Sequence, residues 1–268
     1  MKNNNHFLSV IVPVYKQEQN IQKDLQNINQ VLGQIRYDYE IIVVIDGTKV
    51  DKSYQQAKKI KSSKIKIYGY PNNHGKGYAV RFGMAKTKGD YIAFIDAGME
   101  IDPNGLSMII EHMEWYNADI IVGSKRHPAS QVDYPLDRQI ISFGGHLIAR
   151  FLLGINIHDT QAGLKIFKRP VLIKVLPRLL IKNYAFDLEI LSVANYLGFK
   201  NIYEAPIKLN YDFTSLTHAT GLKTIYQCLI DALAVFYRLK ILHYYDDKNK
   251  RKWVYNPELE MRINTGQK

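Results

Sequence analysis

The sequence has little cysteine, no long apolar run at its start and no repeats, and each shortage excludes a class of protein. Cys228 is the only cysteine in 268 residues, so neither an internal disulfide nor a cysteine-based metal cluster can form. This fits the reducing cytoplasm. Residues 1–6 are polar and the apolar run after them covers only Phe7–Val14, which predicts neither a signal peptide nor a membrane span there.

Acidic residues are outnumbered by basic ones. The chain has 36 Lys and Arg against 25 Asp and Glu, a formal net charge of +11. This balance predicts an anionic partner, which leaves nucleic acid, acidic lipid headgroups and phosphorylated substrates as candidates. We expect no nucleic acid, because no zinc finger, helix-turn-helix or RNP-like aromatic motif is present. A composition of 46% hydrophobic and 23% charged residues is that of a folded globular protein.

The first half of the chain alternates strand-like and helix-like segments. The apolar residues of 17–33 are spaced by four, three and four, which predicts an amphipathic helix. Strands separated by helices predict an α/β fold with a Rossmann-like, mostly parallel, doubly wound sheet. Ligands of such sheets bind beyond the carboxyl ends of the strands. The predicted strands are Ser9–Tyr15, Glu40–Asp46, Ile65–Tyr68, Asp90–Asp96 and Ala118–Gly123.

The C-terminal part has a different character. Ile140–Leu153 is apolar but short for a membrane span, and two glycines interrupt it. Leu222–Tyr245 has apolar residues at a 3.6-residue period, four tyrosines at 226, 237, 244 and 245, and a basic tail behind it. Two interpretations stay open: a helix at a membrane interface, with its tyrosines among the headgroups, or a final core helix. We divide the chain into a domain over 1–212, a C-terminal amphipathic helix over 213–245 and a basic tail over 246–268.

A series of short motifs follows the strands in a fixed order. They are Ser9–Tyr15, Val44–Gly47, Asn73–Arg81, Phe94–Ala97, Gly123–Lys125 and Asp159–Lys165. Together the set resembles the family 2 glycosyltransferases of GT-A fold. Within them it looks most like the dolichyl- and polyprenyl-phosphate mannosyl- or glucosyltransferases. The resemblance runs from about Ser9 to Tyr211 and rests on the order and spacing of the motifs.

The resemblance implies a nucleotide-sugar site at the ends of the first strands. It assigns nucleotide-sugar binding to Pro13, Tyr15, Gln17, Asp46, Lys76, Asp96 and Ala97. Independently of the family, the glycines around Lys76 open a helix, and helix N-termini attract phosphate. Asp46 alone would also suit a simple Asx turn before Gly47.

The resemblance also implies a divalent cation, Mg²⁺ or Mn²⁺, held by Asp96 and Glu100. The family usually has Asp-x-Asp at this point, and here Gly98 stands in the second position. Mg²⁺ needs only one or two protein carboxylates when phosphates and waters complete its shell. We therefore expect metal dependence, and we expect an aspartate at position 98 to be tolerated.

The acceptor side is implied by later motifs. The resemblance assigns the phosphate of a lipid acceptor to Lys125, Arg126, Arg138 and Ser142. It places Asp159 beside acceptor and sugar, so that the catalytic set becomes Asp96, Asp159 and Arg138. Further polar site candidates are Gln161, Lys165, Asp187 and Glu189, of which the last two could serve only to orient a basic group.

The sequence therefore predicts an inverting hexosyltransferase. Its partners would be GDP-mannose or UDP-glucose, a polyprenyl phosphate and an anionic membrane surface. It would be peripheral at the cytosolic face. Two alternatives stay open: a family 2 transferase acting on a sugar hydroxyl, with Asp159 as base, and a catalytically degenerate nucleotide-sugar-binding domain.

Overall fold

The computed structural model describes residues 6–132, 153–182, 185–209, 222–249 and 252–264. In the first of these ranges strands and helices alternate. They are β1 Phe7–Val14, α1 Ile21–Leu32, β2 Asp38–Asp46, α2 Ser53–Ala57, β3 Ile65–Tyr70, α3 Lys76–Ala85, β4 Tyr91–Ile95, α4 Gly105–Trp115 and β5 Ile120–Ser124.

The later ranges complete the domain. They contain β6 Leu164–Lys168, α5 Arg169–Val175, a 3₁₀ turn over Leu176–Arg178, α6 Phe186–Tyr196 and β7 Ile202–Pro206. They end with α7 Leu222–Phe236, a π-helical turn over Tyr237–Ile241, and a hairpin of β8 Trp253–Asn256 and β9 Met261–Asn264. None of the described helices is both long and apolar enough to cross a membrane.

Seven strands form one sheet in the order β3-β2-β1-β4-β6-β5-β7. Strand β6 is antiparallel to both of its neighbours, and the other pairs are parallel. The prediction of a mostly parallel α/β sheet is therefore confirmed. Because β6 runs backwards, the loop that leads into it lies at the edge where β4 ends.

Alternate residues of the central strands face two separate cores. On β2, Ile42 and Val44 point to one face of the sheet, and Ile41, Val43 and Ile45 point to the other. This two-sided burial explains why the strands read as continuous apolar runs. Helix α3 packs in the first core and α1 and α4 pack in the second.

The C-terminal helix packs on the domain with one face and exposes apolar side chains on another. Ala232, Val235 and Leu239 are buried in the first core, so the helix packs against the domain. A second row of apolar side chains is exposed, and we call it the outer stripe: Leu229, Ile230, Leu233, Tyr237 and Ile241.

Two predictions for this region are wrong in detail. Tyr244 and Tyr245 are buried in the core and do not face outwards, because the helix has ended before them and the chain turns inwards. The basic tail contains a hairpin that packs on the domain: Leu259 at its tip is buried, Glu258 binds Tyr78 of α3, and Glu260 binds Lys86 directly after that helix.

Candidate active site

Asp96, which follows β4 directly, and Lys76, the first residue of α3, meet at the carboxyl edge of the sheet. The Lys76 ammonium donates to Asp96 Oδ2 at 2.7 Å. It also lies 3.3 Å from Asp187 Oδ2 at the start of α6. Burial disfavours the charge on Lys76, but Asp187 and Asp96 outweigh it and raise the pKa of this lysine.

Asp187 also binds a second lysine from the opposite side. Lys165 of β6 is fully buried and donates to Asp187 Oδ1 at 2.7 Å and to the Ala162 carbonyl at 2.6 Å. The Phe94 ring lies under both ammonium groups, at 5.6 Å from Lys76 and 5.3 Å from Lys165. The result is a row of alternating charges in which Asp96, Lys76, Asp187 and Lys165 sum to zero.

Asp46 holds the loop in front of Lys76. Its two carboxylate oxygens accept the backbone N–H groups of His74 at 2.7 Å and Gly75 at 2.9 Å. The carboxylate is buried, and Gly75 has a φ of +93° that favours glycine. Asp46 thus positions the N-terminus of α3, which is the part of the loop that would face a phosphate.

The turn after Asp96 explains the glycine in the Asp-x-Asp position. Gly98 has a φ of +95°, where a side chain is strained whatever the space around it. Its N–H donates to the buried carboxylate of Asp24 on α1 at 2.9 Å. Burial raises the pKa of Asp24, and the hydrogen bond from Gly98 opposes this only in part. The structure therefore predicts that an aspartate at 98 costs stability, which differs from the expectation that it is tolerated.

A divalent cation has one well-placed oxygen here. Asp96 Oδ1 is buried and has no hydrogen-bond partner, and such an atom in a native fold calls for an explanation. A hard cation that binds oxygen would supply the missing partner. Glu100 is exposed, and no group of three or more metal-ligating side chains occurs within the described part of the chain. The residues fit a cation held mainly by phosphates and water, with Asp96 as the protein ligand.

The loop from Asp159 to Gly163, which we call the β6 loop, closes the other side of the site. Asp159 is buried and accepts the backbone N–H groups of Lys125 at 3.0 Å and Gln161 at 3.3 Å. The Gly163 carbonyl accepts the Asp96 N–H, and a Cβ on Gly163 would lie 2.2 Å from Asp96 Oδ2. Only glycine permits the β6 loop to approach Asp96 so closely.

Glu204 of β7 holds the start of this loop in place through hydrogen bonds. It accepts the N–H groups of His158 and Asp159, both at 3.1 Å, and pairs with the His158 ring at 2.7 Å. Burial alone would raise the pKa of Glu204, but hydrogen bonds from His158 and Ser124 hold it below its usual value. The sequence did not predict this residue, because β7 carries no motif.

The remaining predicted residues divide into three groups. Pro13 is buried near the end of β1, and Tyr15 just after that strand is exposed. Gln17 and Ala97 are partly accessible beside Gly98, and Lys125, Arg126 and Gln161 are at least partly accessible around the β6 loop. Glu189 lies elsewhere: it accepts the Leu180 and Ile181 N–H groups and the Tyr245 hydroxyl. Arg138 and Ser142 lie outside the described residues.

This arrangement, a two-sided α/β sheet with an aspartate, a lysine and a glycine loop at one edge, is that of a GT-A glycosyltransferase. The model of the family described as Glycosyl transferase family 2 matches residues 9–176. The chain belongs to that family.

Two similar sequences come from dolichyl-phosphate beta-glucosyltransferases. A dolichyl-phosphate beta-glucosyltransferase of Dictyostelium discoideum is 32% identical over 224 residues, which cover 77% of this chain and 67% of that protein. The enzyme of the same name from Drosophila melanogaster is 32% identical over 205 residues, 71% of this chain and 63% of that protein. The chain thus spans about two thirds of the length of these relatives.

Solved structures agree on the fold. Mannosyl-3-phosphoglycerate synthase from Rubrobacter xylanophilus superposes with a TM-score of 0.68 at 16% identity and covers 97% of this chain and 85% of its own. Glucosyl-3-phosphoglycerate synthase from Mycobacterium tuberculosis, crystallised with Mn²⁺, UDP-glucose and phosphoglyceric acid, gives 0.62 at 18%, with 86% and 80% covered.

Proposed function

We propose that this protein transfers glucose from UDP-glucose to a polyprenyl phosphate in a metal-dependent reaction that inverts the anomeric carbon. The names of the relatives support glucose over mannose and a dolichyl phosphate-like acceptor. The UDP-glucose and Mn²⁺ bound by the mycobacterial fold neighbour are consistent with this donor and with a cation.

The observation that carries the proposal is the meeting of Lys76, Asp96 and the β6 loop at one edge of the sheet. Lys76 presents a cation at a helix N-terminus, where a diphosphate is favoured. Asp96 would hold a divalent cation through its unpartnered oxygen, and such a cation would neutralise the charge of the leaving diphosphate. Glu100 remains the second candidate ligand. Pro13, Tyr15, Gln17, Asp46 and Ala97 complete the proposed donor site.

An acceptor phosphate enters from the side of the β6 loop. A phosphate monoester is already anionic near pH 7, so the nucleophile needs no strong base. Its oxygen bonds to the anomeric carbon while the bond from that carbon to the diphosphate breaks, and UDP leaves. Asp159 shapes the loop next to the reacting atoms, and Lys125, Arg126, Arg138 and Ser142 bind the acceptor phosphate. Holding two anions in line is then the main work of the site.

A transfer assay tests the proposal. Purified protein is incubated with labelled UDP-glucose or GDP-mannose, with Mn²⁺, Mg²⁺ or EDTA, and with a polyprenyl phosphate. We expect labelled lipid from UDP-glucose with either metal and none with EDTA. Label that appears only on a sugar hydroxyl supports the hydroxyl transferase instead. Tight nucleotide binding without turnover on any acceptor supports a degenerate domain.

The acceptor assignment has its own test. Arg138→Ala should raise the KM for the lipid phosphate about tenfold or more, since losing one charge-assisted contact costs roughly 1.5–3 kcal/mol. The KM for UDP-glucose should stay the same. If the donor KM changes and the acceptor KM does not, Arg138 belongs to the diphosphate site.

We also infer that the outer stripe lies on the cytosolic membrane surface where a lipid acceptor is found. It presents leucine, isoleucine and tyrosine side chains to solvent. Lys240, Lys248 and Lys252, which follow in the sequence or lie within it, are also exposed, and this combination suits anionic headgroups. Leu233→Gln with Ile241→Gln should abolish flotation with anionic liposomes. Ile173→Gln, which removes an equally exposed isoleucine from α5, should not. Equal flotation of both variants contradicts the assignment.

A further inference from the structure

Two loops with different tasks meet at a single buried carboxylate. The glycine loop that carries Lys76 belongs to the proposed donor site, and the β6 loop belongs to the proposed acceptor site. Asp187 binds Lys76 with one oxygen and Lys165 with the other. Lys165 in turn donates to the Ala162 carbonyl within the β6 loop.

The middle of this connection is shielded from solvent. Asp187 is 2% exposed and Lys165 is 0% exposed, so both side chains depend on the protein for their partners. Helix α3 approaches α6 so closely that a Cβ on Gly77 would lie 2.6 Å from the Phe186 Cβ. The ammonium groups of Lys76 and Lys165 both lie over the Phe94 ring, in cation–π contact. Both lysines are therefore held against the same ring and the same carboxylate.

The arrangement also divides the Lys76 ammonium group between two carboxylates, those of Asp96 and Asp187. An ammonium group bound only to Asp96 would compete with a divalent cation for that carboxylate. Asp187 takes a share of the ammonium, and Asp96 Oδ1 stays without a partner. Two lysines around one carboxylate would repel each other if that carboxylate were neutral.

We propose that Asp187 is a positioning residue that couples the two loops: it holds Lys76 for the donor diphosphate and, through Lys165, holds the β6 loop for the acceptor. The proposal rests on the proposed function and adds that occupation of either half of the site is sensed by the other. Asp187 itself does not touch either substrate.

Three variants separate the two branches of this connection. Asp187→Asn removes the charge. It should weaken the binding of UDP-glucose with Mn²⁺ about tenfold and raise the KM for the acceptor about tenfold. Lys165→Met cuts only the branch to the β6 loop, and should raise the acceptor KM without weakening UDP-glucose binding. Glu189→Gln is the matched control, because it neutralises a second buried carboxylate of α6 that binds neither lysine: its partners are the Leu180 and Ile181 N–H groups and the Tyr245 hydroxyl. It should lower stability and leave both constants unchanged.

Donor binding is measured by calorimetry with UDP-glucose and Mn²⁺ in the absence of acceptor, so this readout does not depend on the acceptor. If Asp187→Asn does not fold, the double variant Lys165→Met with Asp187→Asn restores charge balance and should keep the weak donor binding. The inference is overturned if Asp187→Asn binds UDP-glucose as tightly as the wild type or more tightly. It is also overturned if Asp187→Asn changes the two constants no more than Glu189→Gln does. Wild-type protein that binds no UDP-glucose overturns the proposed function instead.

Discussion

Gly98→Asp restores the aspartate that the Asp-x-Asp pattern expects, and the structure predicts that it destabilises the fold. At a φ of +95° a non-glycine residue costs about 1–3 kcal/mol. A Cβ there would meet only the Gln17 amide at 3.5 Å, an ordinary contact, so the backbone accounts for the cost. About 2 kcal/mol corresponds to a loss of roughly 4–8 °C in Tm for a chain of this size.

Gly198→Asp is the matched control, because Gly198 has a φ of +99° and nothing within 4 Å of a Cβ. Thermal unfolding followed by circular dichroism without metal should give similar losses for the two variants. Adding Mn²⁺ and UDP should then stabilise Gly98→Asp no more than it stabilises the wild type. A Gly98→Asp protein as stable as the wild type, or one with a larger Mn²⁺ shift, would refute the reasoning.

Three further predictions concern the site, the hairpin and a buried carboxylate. Asp96→Asn should lower lipid-linked glucose formation about 10²-fold at unchanged Tm, and unaltered turnover would contradict its role. Leu259→Ala at the buried hairpin tip should cost about 2–5 kcal/mol in denaturant unfolding, while Val254→Ala on the exposed face of β8 should cost far less. Burial opposes ionisation of Glu40, but hydrogen bonds from Lys66 and Ser9 outweigh it and lower the pKa of Glu40 in the folded protein. The ionised Glu40 therefore stabilises the fold fully above the ordinary pKa of a glutamate, and this stabilisation is lost as the pH falls through the folded-state pKa. Glu40→Gln should therefore be destabilised at pH 7 and approach the wild type in acid; a constant difference would disprove the linkage.

Much of the sheet was predictable because buried parallel strands leave a strong sequence signal. All five strands predicted in the first half are present, with ends shifted by at most two residues. Strand β7 and the hairpin were missed. They lie at the edge of the sheet or outside it, where side chains are half exposed and the apolar signal is weak.

The site was predictable where a motif marked it and unpredictable where geometry did. Lys76 and Asp96 do come together, and Asp159 belongs to the loop whose Gly163 carbonyl accepts the Asp96 N–H. The sequence could not reveal that Lys76 shares its charge between two carboxylates. One signal was available: Asp24 falls on the buried face of α1, and a carboxylate there needs a partner. Glu204 gave no such signal, because its role depends on how β7 pairs with β5.

The reversed direction of β6 brings a long excursion of the chain back to the place where it left the sheet. Strand β5 ends at Ser124 and β6 begins at Leu164, and the two pair directly through Val122 and Lys165. The chain therefore leaves the sheet after Ser124 and rejoins it beside the same strand at Leu164. The described residues on the way are built into the domain: Gln131 pairs with Lys208, and Leu153, Ile155 and Ile157 are buried in the first core. Sequence change in this stretch is therefore constrained at both ends, because it has to keep the apolar side chains that fill the core and the glycine that lets the loop reach Asp96.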